Sequence, residues 1–115
     1  MSQVRVTYPS LTRDKVIKML SEARPNLNRK LRVSRMVLYG SYAQGRHTAG
    51  SDIDLIVVYR GAERRDAYKV VVEEINLPRL EPKVYTEEQF SLMIAGNPKF
   101  AETIQKEGIA IRGKE

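Results

Sequence analysis

Residues 36–59 read MVLYGSYAQGRHTAGSDIDLIVVY, and this stretch decides the fold. Its two ends are apolar, while its polar middle holds Gly40, Gly45 and Gly50. It therefore reads as a buried strand ending at Tyr39, a short helix over residues 41–44, a loop over 45–50 and a second strand over 53–59. Asp52 and Asp54 stand at the entrance of that second strand. Side chains alternate faces along a strand, so the two carboxylates point the same way and Ile53 points the other. Two like charges on one face repel unless a cation lies between them, which makes the pair a candidate metal site rather than a pair of strand-end caps.

Upstream, Thr12 is placed to cap a helix in which Val16, Ile17, Leu20 and Ala23 form one apolar face. Pro25 is expected to end or interrupt that helix, with Leu27 and Leu31 adding a further turn or two. Before it, Val4, Val6 and Tyr8 alternate as in a short edge strand or arm ending at Pro9. Arg24, Arg29, Lys30, Arg32 and Arg35 form the densest basic cluster of the chain. Such a cluster either tracks a phosphate backbone or makes a solvated helix face.

Downstream, residues 62–77 read as a helix with Ala67, Val70, Val71, Glu74 and Ile75 on one side, closed by Pro78. Residues 80–85 form a third strand, and Pro82, which cannot donate to a ladder, puts one side of it at an unpaired edge. Thr86 with Gln89 three residues later is a capping box for a helix through Phe90 and Ile94. Gly96-Asn97-Pro98 is a turn, Pro98 opens a last helix stopped at Gly108, and residues 109–111 add a short strand. The expected architecture is α+β. A small mixed sheet of about four strands carries helices mainly on one face and a cleft on the other, in a single domain over residues 1–115.

With 42% hydrophobic and 30% charged residues, the composition is that of a globular chain rather than a disordered one. The absence of cysteine excludes disulfides and thiolate metal sites, and a single histidine excludes a polyhistidine zinc site. Any metal must rest on carboxylates. The net charge of +6 and pI near 9.7 suit polyanionic partners and equally suit plain solubility. No apolar run reaches the roughly 20 residues of a spanning helix, and the N-terminus lacks a secretory pattern, so no membrane association and a cytoplasmic location are the expectation.

A Gly-Ser step ending one strand and an Asp-x-Asp opening the next are together what a nucleoside triphosphate requires. Backbone amides beside Gly40 approach phosphate oxygens closely, and Ser41 adds a hydroxyl donor. Asp52 and Asp54 supply oxygen ligands for Mg²⁺, whose coordination the phosphates complete. A two-ion site needs a further acidic ligand, and Glu81 in the third strand is the candidate, its alternative being an exposed pairing with Lys83 or Arg79. Ser51 bonds either a phosphate or its own loop backbone. His47 and Arg46 read as exposed loop residues, and Tyr39, Tyr59 and Tyr85 as packing residues at strand ends.

Gly40-Ser41, Gly45 and Ser51-Asp52-Ile53-Asp54-Leu55 resemble the signature of the DNA polymerase beta-like nucleotidyltransferase superfamily, most of all its minimal, antitoxin-like members. The resemblance implies transfer of a nucleoside monophosphate, usually AMP from ATP, to an acceptor hydroxyl. It assigns Asp52 and Asp54 to metal binding and catalysis, with Gly40 and Ser41 on the triphosphate. Glu81 falls at the third acidic position, where relatives usually carry Asp. Tyr42 stands where minimal members often have Arg, a phosphate contact for which Arg46 is the nearest substitute. The resemblance also implies a second class of function, that of an antitoxin binding a small helical HEPN-type partner, which supplies the acceptor. RNA or a small molecule as acceptor is the remaining alternative.

Overall fold

The computed structural model describes residues 11–113, so the alternating stretch Val4–Tyr8 lies outside the described residues. Five helices and four strands follow in the order α1 (Arg13–Leu31), β1 (Val33–Tyr39), α2 (Gly40–Gln44), β2 (Ile53–Tyr59), α3 (Ala67–Ile75), β3 (Leu80–Thr86), α4 (Glu87–Gly96), α5 (Pro98–Glu107) and β4 (Ile109–Ala110). The strands form one sheet in the order β3-β2-β1-β4. β1 runs antiparallel to β2 and β4, while β2 and β3 run parallel, so the sheet is mixed as expected. β3 is an edge strand, which tolerates Pro82 because a missing N–H costs nothing where no neighbour accepts it.

The larger core lies on one face of the sheet. Val16, Leu20, Leu27 and Leu31 of α1 meet Ala67, Val71 and Ile75 of α3 over Leu38, Ile53, Leu55 and Val57. Leu20 and Leu27 are fully buried, and burial on that scale contributes about 1.5–3 kcal/mol per side chain. This stripe is why α1 continues through Pro25 instead of ending there. Proline removes one hydrogen bond to the preceding turn, but Leu27 and Leu31 fall on the same buried face as Val16 and Leu20, and their burial outweighs the loss. A smaller cluster on the opposite face, Val37, Tyr39, Ile56 and Val58, is covered by Phe90 of α4 and Ile104 of α5.

α3 is shorter at its start than the apolar pattern of residues 62–77 suggests. The preceding segment is held by other bonds: the Arg64 backbone N–H donates to the Tyr59 hydroxyl at 2.9 Å, and the Arg64 guanidinium pairs with Asp66 at 2.8 Å. Asn76, in the left-handed conformation at φ 50°, ends the helix before Pro78. The Thr86 capping box is formed in both directions, with Gln89 N–H donating to Thr86 Oγ1 and Thr86 N–H to Gln89 Oε1.

Candidate active site

Strand register gathers the acidic residues at one corner of the sheet. Asp54 is the second residue of β2; its antiparallel partner is Tyr39, the last residue of β1, and its parallel partner is Glu81. Tyr39, Asp54 and Glu81 therefore stand side by side across three strands, on the face that α4 and α5 leave partly open. Asp52 immediately precedes β2 and is about half exposed, while Ile53 between the two aspartates is sunk in the larger core. That anchor fixes the direction of both carboxylates.

The chain reverses at Gly40 with φ 77°, a left-handed conformation that side chains resist. A Cβ there would lie 2.2 Å from Asp54 Oδ2, so the Gly40 backbone is pressed against the Asp54 carboxylate. Gly40 and Ser41 open α2, whose first turn has no side-chain cap, so its leading amides lack the partner a capping hydroxyl would supply. The Gly-Ser step and the acidic pair, separated by ten residues in sequence, meet at this point.

Burial pushes the Asp54 carboxyl above the usual range, with the negative charge of Asp52 adding to it; Lys83 pulls it down and Glu81 raises it. All three charges thus reach Asp54. Excess negative charge around a partly desolvated carboxylate is the condition that a divalent cation relieves. The donor set fits such a cation: two oxygen ligands on one face, with water and phosphate oxygens left to complete the shell. Among the described residues, no group of three or more His, Asp or Glu side chains converges as a ready-made metal cage. Glu81 is exposed beside Asp54 rather than folded onto it.

The Ser51 hydroxyl accepts the Thr48 N–H at 2.8 Å and so closes its own loop. His47 is not the exposed loop residue expected. It stacks on Tyr42, with ring centroids 4.1 Å apart and planes within 9°, and its Nδ1 is buried without a hydrogen-bond partner among the described residues. Tyr42 is itself 4% exposed and belongs to the larger core, so an apolar platform drew the imidazole inward. Arg46 is exposed and donates to Gln44 Oε1.

Three residues at this corner carried no functional signal in the sequence. Arg79, in the left-handed conformation at φ 63°, accepts the Ile53 N–H on its carbonyl at 2.8 Å, donates to the Gly50 carbonyl and lies 3.7 Å from Asp52. It is thereby a cation already placed on one of the two aspartates. Lys83 lies two residues beyond Glu81 on the same face of β3. The Tyr39 phenol is pushed up to about 12 by burial, with Asp54 and Tyr85 contributing, so it stays a neutral hydroxyl beside Asp54. Only the parallel β2–β3 register brings Arg79 and Lys83 here, and no local pattern states that register.

A mixed sheet with a Gly-Ser turn packed on an Asp-x-Asp strand is the arrangement of a nucleotidyltransferase. The family model described as a nucleotidyltransferase domain matches residues 17–111, and the chain belongs to that family. No curated protein sequence matches it. Among solved structures, a Sulfolobus solfataricus protein named as a candidate nucleotidyltransferase is similar at a TM-score of 0.54 and 15% identity, covering 91% of this chain and 88% of that one. A mutant of the toxin–antitoxin pair MntA–HpeT is similar at 0.53 and 19% identity, covering 91% and 76%. A toxin–antitoxin structure with AMP-PNP is similar at 0.53 and 18% identity, covering 81% and 73%. These likenesses are likenesses of fold. Among the described residues, no helix is long and apolar enough to cross a membrane.

Proposed function

We propose that the chain transfers a nucleoside monophosphate, AMP from ATP, to an acceptor hydroxyl with release of pyrophosphate, using Mg²⁺. The observation that carries this reading is the packing of Gly40 against the Asp54 carboxylate, which joins a phosphate-binding turn to a cation-binding pair. Gly40 leaves room for phosphate oxygens, and the Ser41 hydroxyl and the leading amides of α2 donate to them. Asp52 and Asp54 would hold two ions. When bound, Mg²⁺ neutralises phosphoryl oxygens and makes the acceptor hydroxyl easier to ionise. Glu81, the register partner of Asp54, takes the hydroxyl proton and completes the carboxylate set. Two cations at the same corner, Arg79 beside Asp52 and Lys83 near enough to act on Asp54, are available to neutralise triphosphate charge. The toxin–antitoxin relative with Asp-to-Glu changes two positions apart has the spacing of Asp52 and Asp54, which supports assigning them to the centre of the chemistry.

Incubation with α-labelled ATP, Mg²⁺ and candidate acceptors tests the reading. Asp52→Asn should lower transfer by at least about a hundredfold, the order expected for a misplaced reacting centre, and leave the melting temperature within about 2 °C. Undiminished transfer in that variant would overturn the assignment. Glu81→Gln separates a catalytic Glu81 from an exposed strand residue, for which no loss is expected.

A second reading, a partner-binding antitoxin with weak or no catalysis, is favoured by the two toxin–antitoxin neighbours. A small helical HEPN-type protein is the partner in that case. Mixing the two chains with labelled ATP discriminates: label on the partner means transfer, and a stable complex without label means binding alone.

A further inference from the structure

The basic cluster near α1 is only partly accounted for by ion pairs. Lys30 pairs with Glu74 at 2.7 Å, a bridge between α1 and α3. Arg24, Arg29 and Arg112 instead line a hollow of about 620 Å³ with Pro25, Asn28 and Gly113. A second hollow of about 190 Å³ shares Arg24 and Arg112 and extends to Arg35 around the β4 edge. The wall is built, because Arg24 donates to the Ile111 carbonyl at 2.5 Å, Ser21 donates to the Arg112 carbonyl at 2.5 Å, and a Cβ on Gly113 would lie 3.6 Å from Arg24 and Pro25. These contacts fasten residues 111–113 along the helix.

Among the described residues, no carboxylate lies within ion-pair distance of Arg24, Arg29, Arg35 or Arg112, a condition shared with other surface cations such as Lys15, Lys18 and Lys69; what sets these four apart is that they converge on adjoining hollows. Arg29 is held by the Asn26 side chain at 3.0 Å and Arg35 lies 5.1 Å over the Phe90 ring, both neutral partners. The Arg24 guanidinium is held below its usual range by burial and by the adjacent charge of Arg112. Gathering like charges without a counter-charge is unfavourable, and an anion relieves it.

We infer that this arginine-lined hollow binds the phosphate backbone of single-stranded RNA, independently of base sequence. Arg24 and Arg29 alone spread over about 7.5 Å of helix axis, and Arg112 and Arg35 continue around the sheet edge, which suits a chain of phosphates better than one compact anion. Guanidinium groups pair with phosphate in a forked, two-bond geometry. Among the described residues, no aromatic side chain lines the Arg24–Arg112 hollow, so they offer bases nothing to stack on and recognition rests on the backbone. The site is distinct from the acidic corner: Arg35 precedes Tyr39 by four residues on β1, about 13 Å along the strand. It stands whether or not the transfer reaction does.

Fluorescence anisotropy of a labelled 12-nucleotide RNA, in EDTA and over 50–200 mM KCl, reads the interaction. Arg24→Gln/Arg112→Gln should weaken binding about tenfold and make the salt slope shallower by about 1.4, the value for two lost phosphate contacts on a single strand. Arg29→Gln/Arg35→Gln, which leaves the Arg24 and Ser21 contacts intact, should act in the same direction. Arg60→Gln/Arg65→Gln removes the same charge elsewhere and should change nothing, as should Asp52→Asn/Asp54→Asn. A uridine-only and a mixed-sequence RNA should bind alike. The inference is overturned by equal losses in the Arg60/Arg65 control, by loss in the aspartate variant, by no loss in both hollow variants, by strong sequence preference, or by polyglutamate displacing RNA at equal charge concentration.

Discussion

Gly40→Ala is the most direct test of how the site is put together. The new methyl group would sit 2.2 Å from Asp54 Oδ2 and 3.0 Å from its Cγ, distances that force either the carboxylate or the turn to move. Independently of the clash, an alanine at φ 77° costs about 1–2 kcal/mol in backbone strain. For a domain of this size that strain alone lowers the melting temperature by roughly 4–10 °C. Displacement of the carboxylate acts on function: calorimetric titration with Mn²⁺ should show binding weakened at least about tenfold, since a metal ligand moved by about 1 Å no longer meets the ion. The double variant Gly40→Ala/Asp54→Ala separates the two effects. With the carboxylate gone, the added cost of the alanine should fall towards the strain alone, although the residue 54 Cβ at 3.2 Å still has to give by a few tenths of an ångström. A single variant that melts like the parent and binds Mn²⁺ equally well would refute the claim that turn and carboxylate are in contact.

Further expectations concern the surroundings. Arg79→Gln should leave stability within about 1 kcal/mol, because its pairing with Asp52 is half exposed, while Mn²⁺ binding tightens severalfold as a competing cation leaves; weaker binding would refute the competition. Thr86→Ala removes a buried capping hydroxyl and should cost about 1 kcal/mol by chemical denaturation, with Gln89→Ala costing less. Asp66 is held below the ordinary carboxylate range, first by its hydrogen bond from Arg64. A depressed carboxyl stabilises the fold above its unfolded value and loses that contribution as pH falls through its folded value. In an NMR titration, Arg64→Gln should move the Asp66 midpoint upward, and an unchanged midpoint would exclude the pairing in solution.

Much of this was legible in residues 36–59. Continuous apolar strands, glycine punctuation and an Asp-x-Asp at a strand entrance are local signals, and β1, α2 and β2 stand where those signals put them. The capping box at Thr86 and the edge position of the Pro82 strand follow from hydrogen-bond inventory and are equally local. Misjudged elements were those in which a side-chain contact outside the periodic pattern prevailed, long-range for Pro25 and within five residues for Arg64 and His47. Pro25 sits within a continuous helix because Leu27 and Leu31 meet α3, and α3 starts late because Arg64 is held by Tyr59 and Asp66. His47 turned inward because Tyr42 offered a flat partner.

The sequence by itself determined the chemical alphabet of the site: a side-chain-free turn, a hydroxyl and two carboxylates on one face of a strand. Alternation and steric permissiveness act between neighbours and need no tertiary information. Tertiary structure alone decided who stands beside them. The parallel pairing of β2 with β3 sets Glu81 against Asp54 and brings Arg79 to Asp52, and the docking of residues 111–113 on α1 gathers Arg24 with Arg112. Register and docking are fixed by the buried face of the whole sheet, a property of the summed core that no single segment carries.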